Sequence, residues 1–511
     1  MDRSNEGALN RSIAPGADFL QLDLGDAPPG GLADGLARRL RHAIADGRLP
    51  VGCRLPATRV LAAELRVSRG VVTEAYRRLT EDGHVAGRGR GGTVVVAAPV
   101  TARAPAPTTP PAPATPGSLF ATGPGADVFD ALRAAPARID LSPGVPDLTA
   151  FPRAAWLRAE RTVLAALTAS DLGYGDPRGT PALRLAIARW LARNRGIRAE
   201  PDEIVVVAGT TQALGLLGRV LGDDGIREIA VEDPGSLGVR QHLRHARLDT
   251  PPVPVDAEGI RVDALRARGA PAVLVTPAHQ FPTGVVLGGH RRRELTRWAE
   301  AGGLIVEDDY DAEHRYDRPP VPALRSMLPE RVAYVGSVSK LLAPALRIGW
   351  LIPPPPYREA VIEAKRYADL GNAALPQLVL AHLMESGTME RQLRLLRTRH
   401  RRRRDAMIDA IGARLPGAVV HGAAAGLHLM VTFDLGSVEP DVFADPEAFA
   451  DTDLAAAALA RGVKAQPLSW HSQCRPHRPG LVLGYAARTA TEIAEGVAVL
   501  GDALRALRRR R

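Results

Sequence analysis

A lysine follows two serines in Ser337-Val338-Ser339-Lys340, and an arginine, Arg347, stands seven residues further on, after the small apolar run Leu341-Leu342-Ala343-Pro344-Ala345-Leu346. A lone lysine in such a setting can be held as a Schiff base to an aldehyde, while hydroxyls and a guanidinium can hold a phosphate. Pyridoxal 5′-phosphate (PLP) asks for both at once. Lys340 is therefore the candidate Schiff-base lysine, with Ser337, Ser339 and Arg347 around the phosphate.

Three other segments could complete such a site. Glu307-Asp308-Asp309-Tyr310 closes an apolar run. Residues i and i+2 of a strand share a face, so Asp308 and Tyr310 can address one ligand together. A carboxylate keeps a pyridine nitrogen protonated, and a phenol can hydrogen-bond the ring oxygen. Thr276-Pro277-Ala278-His279-Gln280-Phe281-Pro282-Thr283-Gly284 is a polar loop after another apolar run, with Gln280 as its candidate ligand. Gly209-Thr210-Thr211-Gln212 follows a third run and opens a helix, whose first amides suit a phosphate. Each motif alone is weak. Their repeated position after a strand is what joins them, because α/β sheets bind ligands at that edge.

The elements that must position these groups are short apolar strands alternating with helices. The runs Ile204-Val207, Ile229-Val231, Ala272-Val275, Leu304-Val306 and Val332-Val335 predict a mostly parallel sheet. From about residue 376 the pattern changes to long helices and a few strands, which predicts a smaller α+β subdomain.

The N-terminal part reads differently. Leu36, Leu40 and Ile44 stripe a first helix, Val60, Leu61 and Leu65 a second, and Val71, Val72, Ala75, Tyr76 and Leu79 a third that Ser68 can cap. His84 to Ala86 and Thr93 to Val96 then alternate as a hairpin around Arg88-Gly89-Arg90-Gly91-Gly92. In a winged helix-turn-helix the third helix enters the major groove and the wing touches the backbone. Ser68, Arg69 and Thr73 at the start of that helix, Arg59 on the second, and Arg88 and Arg90 in the wing are the candidate DNA contacts.

Charge supports the division. Residues 31–97 carry 12 Arg against 6 acidic residues, a net of +6 out of +10 for all 511 residues. A basic module on a near-neutral body points to a polyanion partner for the module alone. The run Arg397 to Arg404 falls within a helical pattern and is expected to be a solvated face. Seven prolines between 99 and 116 make a segment suited to polyproline II rather than to a core. The expected order is an arm over 1–30, a winged helix over 31–98, a linker over 99–137 and an α/β domain over 138–511. Two distant cysteines and no signal-peptide pattern predict a cytoplasmic protein without disulfides or metal.

The segment from Gly47 through Arg59, with Leu61-Ala62 and Val67-Ser68-Arg69, resembles the GntR-type winged-helix signature. The larger part resembles a fold-type I, PLP-dependent aminotransferase, and the chain from about 31 to 505 is similar to the MocR/GabR subfamily of GntR regulators. The resemblance implies Lys340 as Schiff-base lysine, Asp308 at the pyridine nitrogen, Tyr310 at O3′, and Ser337, Arg347, Thr210 and Thr211 at the phosphate. It also implies that Tyr174, in Gly173-Tyr174-Gly175-Asp176, reaches the phosphate of a partner subunit in a head-to-tail homodimer.

The chain departs from its relatives in ways that bear on function. Ser236 stands where they carry a tyrosine that stacks on the cofactor. Val482 and Gly238 stand where they carry arginines for a carboxylate; Arg240, Arg475, Arg478 and Arg488 are nearby alternatives expected at the surface. The leading expectation is a transcription regulator that senses PLP, or PLP joined to an amine or amino acid. A working aminotransferase with an accessory DNA-binding domain is the alternative, and a scaffold without PLP a third.

Overall fold

The computed structural model describes residues 31–97, 116–121, 123–311, 313–316, 321–433, 450–474 and 478–509. They belong to two separately packed units, divided between residues 112 and 113.

In the smaller unit, Leu36, Leu40 and Ile44 bury the inner stripe of α1 (Leu32–Ala45). The helix gives way to Gly47, whose φ of +81° is cheap only for glycine. Leu61 and Ala62 are the buried residues of α2 (Thr58–Glu64); Val60, expected on its stripe, is 43% exposed because so short a helix buries a single face. Ser68 caps α3 (Arg69–Glu81) by accepting from the Val71 N–H, and Val72, Ala75, Tyr76 and Leu79 point inward. The Tyr76 hydroxyl donates to the Pro56 carbonyl at 2.8 Å, which ties α3 to the loop before α2. β1 (Val85–Gly87) and β2 (Thr93–Val95) pair antiparallel, with Val85 opposite Val95, and make the expected hairpin.

The larger unit is built on eight strands in the spatial order Val205–Val207, Gly349–Ile352, Val332–Ser337, Leu304–Asp309, Ala272–Val275, Ala230–Asp233, Pro252–Asp256 and Gly259–Ile260. The central five from Val332–Ser337 to Pro252–Asp256 are parallel, and Gly349–Ile352 is antiparallel to both neighbours. A sheet of this kind needs cover on both faces. Val206 and Tyr334 point into a cluster with Trp190, Leu191 and Val379, whereas Val205, Val207 and Val335 point into another with Leu214, Leu217 and Val361.

A second, antiparallel sheet orders Ala418–His421, His428–Phe433, Gly480–Gly484 and Gln466–Pro467. This smaller subdomain also draws on residues far upstream. Ile139–Asp140 pairs in parallel with Val463–Lys464. Phe120, Val128 and Leu132 share a core with Leu454, Ala458, Trp470 and Val497. The later part of the stretch assigned to the linker thus contains two short helices, Pro116–Ala121 and Val128–Ala134, tied down by apolar burial. Conversely, Ala374–Glu385 runs across the expected subdomain start yet buries Val379 and Leu380 in the cluster on the large sheet. The expected arm and the proline-rich residues 98–115 lie outside the described residues.

The arginine run is only in part the solvated face expected: Arg399, Arg401 and Arg402 are exposed, but most of the run is also tied to other segments. It lies in the 27-residue helix Thr388–Arg414. Arg399 and Arg403 both donate to the fully buried carboxylate of Asp147, at 3.2 and 2.8 Å. Arg397 donates to the Glu313 carbonyl, Arg401 to that of Tyr316 and Arg404 to that of Ala423. The partners are one remote carboxylate and backbone carbonyls, which composition alone cannot reveal. The run is a strap between segments of the large unit.

Candidate functional site

Where the parallel strands end, a cleft of about 710 Å³ opens, lined from both subdomains of the larger unit. Eight of the ten predicted cofactor residues meet there: Asp308, Tyr310, Ser337, Ser339, Lys340, Arg347, Thr210 and Thr211.

Strand alternation sorts the acids at the end of Leu304–Asp309. Glu307 accepts from the backbone N–H groups of Leu324 and Arg325, and Asp309 pairs with buried Arg195 at 2.6 Å on the same side. Asp308 turns the other way, into the cleft. Burial, reinforced by the charges of Asp309 and Asp311, pushes its carboxyl up to about 7. Its Oδ1 is buried and has no hydrogen-bond partner. A carboxylate so placed fits a cationic N–H donor that the protein itself does not supply. Two residues on, the Tyr310 hydroxyl donates to the His279 carbonyl at 3.2 Å and lies 3.1 Å from its Nδ1. Burial, with the nearby charges of Asp311 and Asp308, keeps that phenol protonated.

Lys340 projects from the loop after Val332–Ser337, and its Nζ donates to the Gly144 carbonyl. Burial lowers its pKa, against the opposing charges of Asp311 and Asp308. A less protonated amine is the reactive form toward an aldehyde.

The other end of the cleft is suited to an anion. The 14-residue helix Thr210–Asp223 begins there, after Gly209 with a φ of +87°. A Cβ on Gly209 would stand 3.3 Å from the Arg347 guanidinium, so glycine permits both the turn and the close approach. Arg347 itself has a φ of +51° and donates to the Ala208 carbonyl. Ser337, Ser339, Thr210 and Thr211 add hydroxyls beside the unpaired amides of the helix start.

Two predicted residues do not line the cleft. The Gln280 amide donates to the Pro234 and Phe281 carbonyls at 2.8 and 2.7 Å, and its oxygen accepts from Thr283. It braces its loop instead of facing a ligand, because its polar atoms are already engaged. Tyr174 is 97% exposed and stands apart from its own chain's cleft.

The substituted positions are now explicit. Ser236 caps the helix Leu237–His245, so its hydroxyl serves the Val239 N–H. Val482 is fully buried in an apolar cluster with Met430 and Leu468, against which Phe281 packs. Arg240, expected at the surface, is 3% exposed and donates to the Gly235, Trp470 and His471 carbonyls. Arg488 donates to the Asp140 carbonyl and pairs with Glu492, and Arg475 lies outside the described residues. Neither Arg240 nor Arg488 lines the cleft.

Sequence reasoning missed the imidazole behind Tyr310. His279 is fully buried, with Nδ1 2.9 Å from Asp311 and its ring 5.0 Å from that of His428. The signal was the loop already singled out, one residue before Gln280. Gly144 carried no motif at all.

On the smaller unit, Arg59, Ser68, Arg69, Thr73 and Arg88 are all exposed. Arg69 Nε donates weakly to Thr58 at 3.4 Å, linking the starts of α3 and α2. Arg77 and Arg78 at the other end of α3 are paired with Glu74, Glu81 and Asp34. Among the described residues Arg59, Arg69 and Arg88 make no ion pair, which leaves their charge available to a phosphate or a guanine edge. The side chain of Arg90 lies outside the described residues.

A winged helix-turn-helix and a fold-type I sheet with a lysine-bearing cleft define a DNA-binding regulator with an aminotransferase-like unit. Residues 32–95 match the bacterial regulatory proteins of the gntR family, and residues 137–493 match aminotransferase class I and II. The chain is 32% identical over 484 residues to the probable rhizopine catabolism regulatory protein MocR of Rhizobium meliloti, covering 92% of this chain and 93% of that protein. It is 30% identical over 494 residues to the HTH-type pyridoxine biosynthesis transcriptional regulator PdxR of Corynebacterium glutamicum, covering 95% and 98%. Among solved structures it resembles a multiple substrate aminotransferase from Thermococcus profundus, with a TM-score of 0.66, 28% identity, and 74% and 94% coverage. It also resembles the α-aminoadipate aminotransferase LysN of Thermus thermophilus, solved with N-(5′-phosphopyridoxyl)-L-leucine, with a TM-score of 0.65, 26% identity, and 75% and 95% coverage. The chain belongs to the GntR-type transcription regulators of the MocR/GabR kind, and its gntR domain implies binding to DNA.

Proposed function

We propose that this regulator senses PLP, alone or joined to an amine, in the cleft around Lys340. The observation that carries the reading is the buried, partnerless Asp308 Oδ1 in the same cleft as a deprotonation-prone lysine and the Gly209–Arg347 anion corner. Asp308 would hold the protonated ring nitrogen, Tyr310 the ring oxygen, and Arg347, Ser337, Ser339, Thr210 and Thr211 the phosphate. Bound there, PLP supplies an aldehyde on an electron-withdrawing ring. Lys340 would hold that aldehyde, with its own proton held by the Gly144 carbonyl in the free protein.

The positions where relatives carry carboxylate-binding arginines favour sensing over turnover of an ordinary amino acid. Val482 is enclosed by apolar groups, and the Arg240 guanidinium is engaged by three carbonyls. An incoming carboxylate finds neither of the arginines its relatives offer. The binding free energy of PLP can shift DNA affinity only as far as PLP prefers one conformation of the regulator. The relative that regulates pyridoxine biosynthesis makes PLP itself the favoured signal.

The test is operator binding by full-length protein with and without added PLP, beside borohydride reduction and peptide mapping of Lys340. PLP retained on Lys340 together with a changed operator affinity is expected. Rapid steady-state transamination of an amino-acid panel, with operator binding indifferent to PLP, would overturn the reading in favour of an enzyme.

A further inference from the structure

The helix Val128–Ala134 brings Phe129 and Leu132 to the wall of the cleft. Phe129 rests on a position made bare by sequence. A Cβ built on Gly238 would be 3.6 Å from the Phe129 Cε2, so any longer side chain there would meet the ring. The helix therefore uses the space that a larger residue at 238 would fill.

The same helix is fastened to the floor of the cleft. Phe129 meets Trp470 edge-on, with centroids 6.4 Å apart, and Phe120 stacks on Trp470 at 5.1 Å. The carbonyls of Trp470 and His471 are gripped by Arg240, which shares its helix with Gly238. The Gln241 amide donates to the Gly125 carbonyl at 2.8 Å, and Lys464 donates to the Arg133 carbonyl at 3.0 Å. In the chain, this helix is the second element after residues 98–115, the segment that joins the two units.

We infer that Phe129 reads the occupant of the cleft, and that Val128–Ala134 passes occupancy to the segment leading to the DNA-binding unit. The inference rests on PLP, or its amine conjugate, occupying the Lys340 cleft. Phe129 offers that occupant an apolar face, which suits a flat ring or an apolar tail, beside Arg133 of the same helix, which also lines the cleft and pairs with Asp130. An occupant that touches Phe129 stabilises the docked helix and is stabilised by it to the same degree, so binding and linker anchorage are reciprocally coupled.

Hydrogen exchange on the full chain bound to an operator duplex, with and without PLP, tests this. PLP is expected to slow exchange of the 128–134 amides by at least about fivefold in the wild type and to leave them unchanged in Lys340→Ala. Phe129→Ala should still carry reducible PLP on Lys340 while the effect of PLP on operator affinity shrinks by at least about fivefold. Gly238→Val, which pushes on the ring from beneath, should uncouple the two in the same way. A Phe129→Ala protein that keeps the full PLP effect, or unaltered exchange at 128–134 with PLP attached, would overturn the inference and leave PLP sensing intact. A wild type that takes up no PLP, or whose operator affinity ignores it, would overturn both.

Discussion

The Nζ of Lys340 is hydrogen-bonded to the carbonyl of Gly144, 196 residues earlier in the chain. Gly144 has a φ of +81°, and a Cβ there would lie 3.2 Å from that Nζ. Gly144→Ala is thus penalised twice, by backbone strain and by crowding of the amine. The expected outcome is a folded protein whose PLP incorporation, read by absorbance and borohydride trapping, falls at least about tenfold, a loss of ~1.4 kcal/mol.

Asp308 separates stability from binding. Its carboxyl ionises near 3.8 in the unfolded chain and at about 7 in the folded protein. The PLP-free fold is therefore penalised progressively as pH rises from about 4 to about 7, and the penalty stays constant above. Asp308→Asn should melt higher than the PLP-free wild type at pH 8, by an amount that vanishes toward pH 4, and should bind PLP more weakly. Thermal melts across that range with PLP titrations check both signs.

Asp147 is predicted to behave in the opposite sense. Burial raises its pKa, but the Thr149 hydroxyl and the guanidinium groups of Arg403 and Arg399 outweigh that and hold it below 3.8. Its contribution is present above pH 3.8 and is lost as pH falls through the lower folded value. Asp147→Asn leaves the half-exposed Arg399 and the Ala486-bonded Arg403 without their carboxylate and should cost about 1–2 kcal/mol at neutral pH. Urea unfolding at pH 7 and an acid titration of both proteins provide the comparison.

For the DNA-binding unit, Arg69→Ala should cost about 1–3 kcal/mol of operator affinity and relax the preference at one base position. Arg88→Ala, at the wing position proposed to touch the DNA backbone, should weaken all sequences alike and flatten the slope of log affinity against log salt by about 1. A salt series on operator and scrambled duplexes distinguishes the two roles.

The strands and the cleft residues that follow them were legible because burial and period act locally. Leu304 to Val306 reads as a strand, and the i, i+2 rule then carries Asp308 and Tyr310 to one face even though the strand continues through the acids to Asp309. The internal bonding of Gln280 was not legible, because its loop turns at that residue and engages the amide there. The role of Arg240 was hidden for another reason: besides the nearby Gly235 carbonyl it is held by those of Trp470 and His471, some 230 residues downstream, and no local pattern encodes that meeting. The helices at 116–134 were concealed by the proline-rich residues before them. Their apolar anchors, Phe120, Val128 and Leu132, find partners more than 300 residues downstream.

The arginine strap of Thr388–Arg414 has a kinetic consequence. Five of its guanidinium groups are held in place by Asp147 and by backbone carbonyls, and outside residues 31–97 the chain carries a net charge of only +4 on 444 residues. Long-range capture of DNA then falls to the 31–97 unit, whose unpaired arginines set the capture radius. Lowering ionic strength accordingly accelerates the first encounter with DNA through that unit.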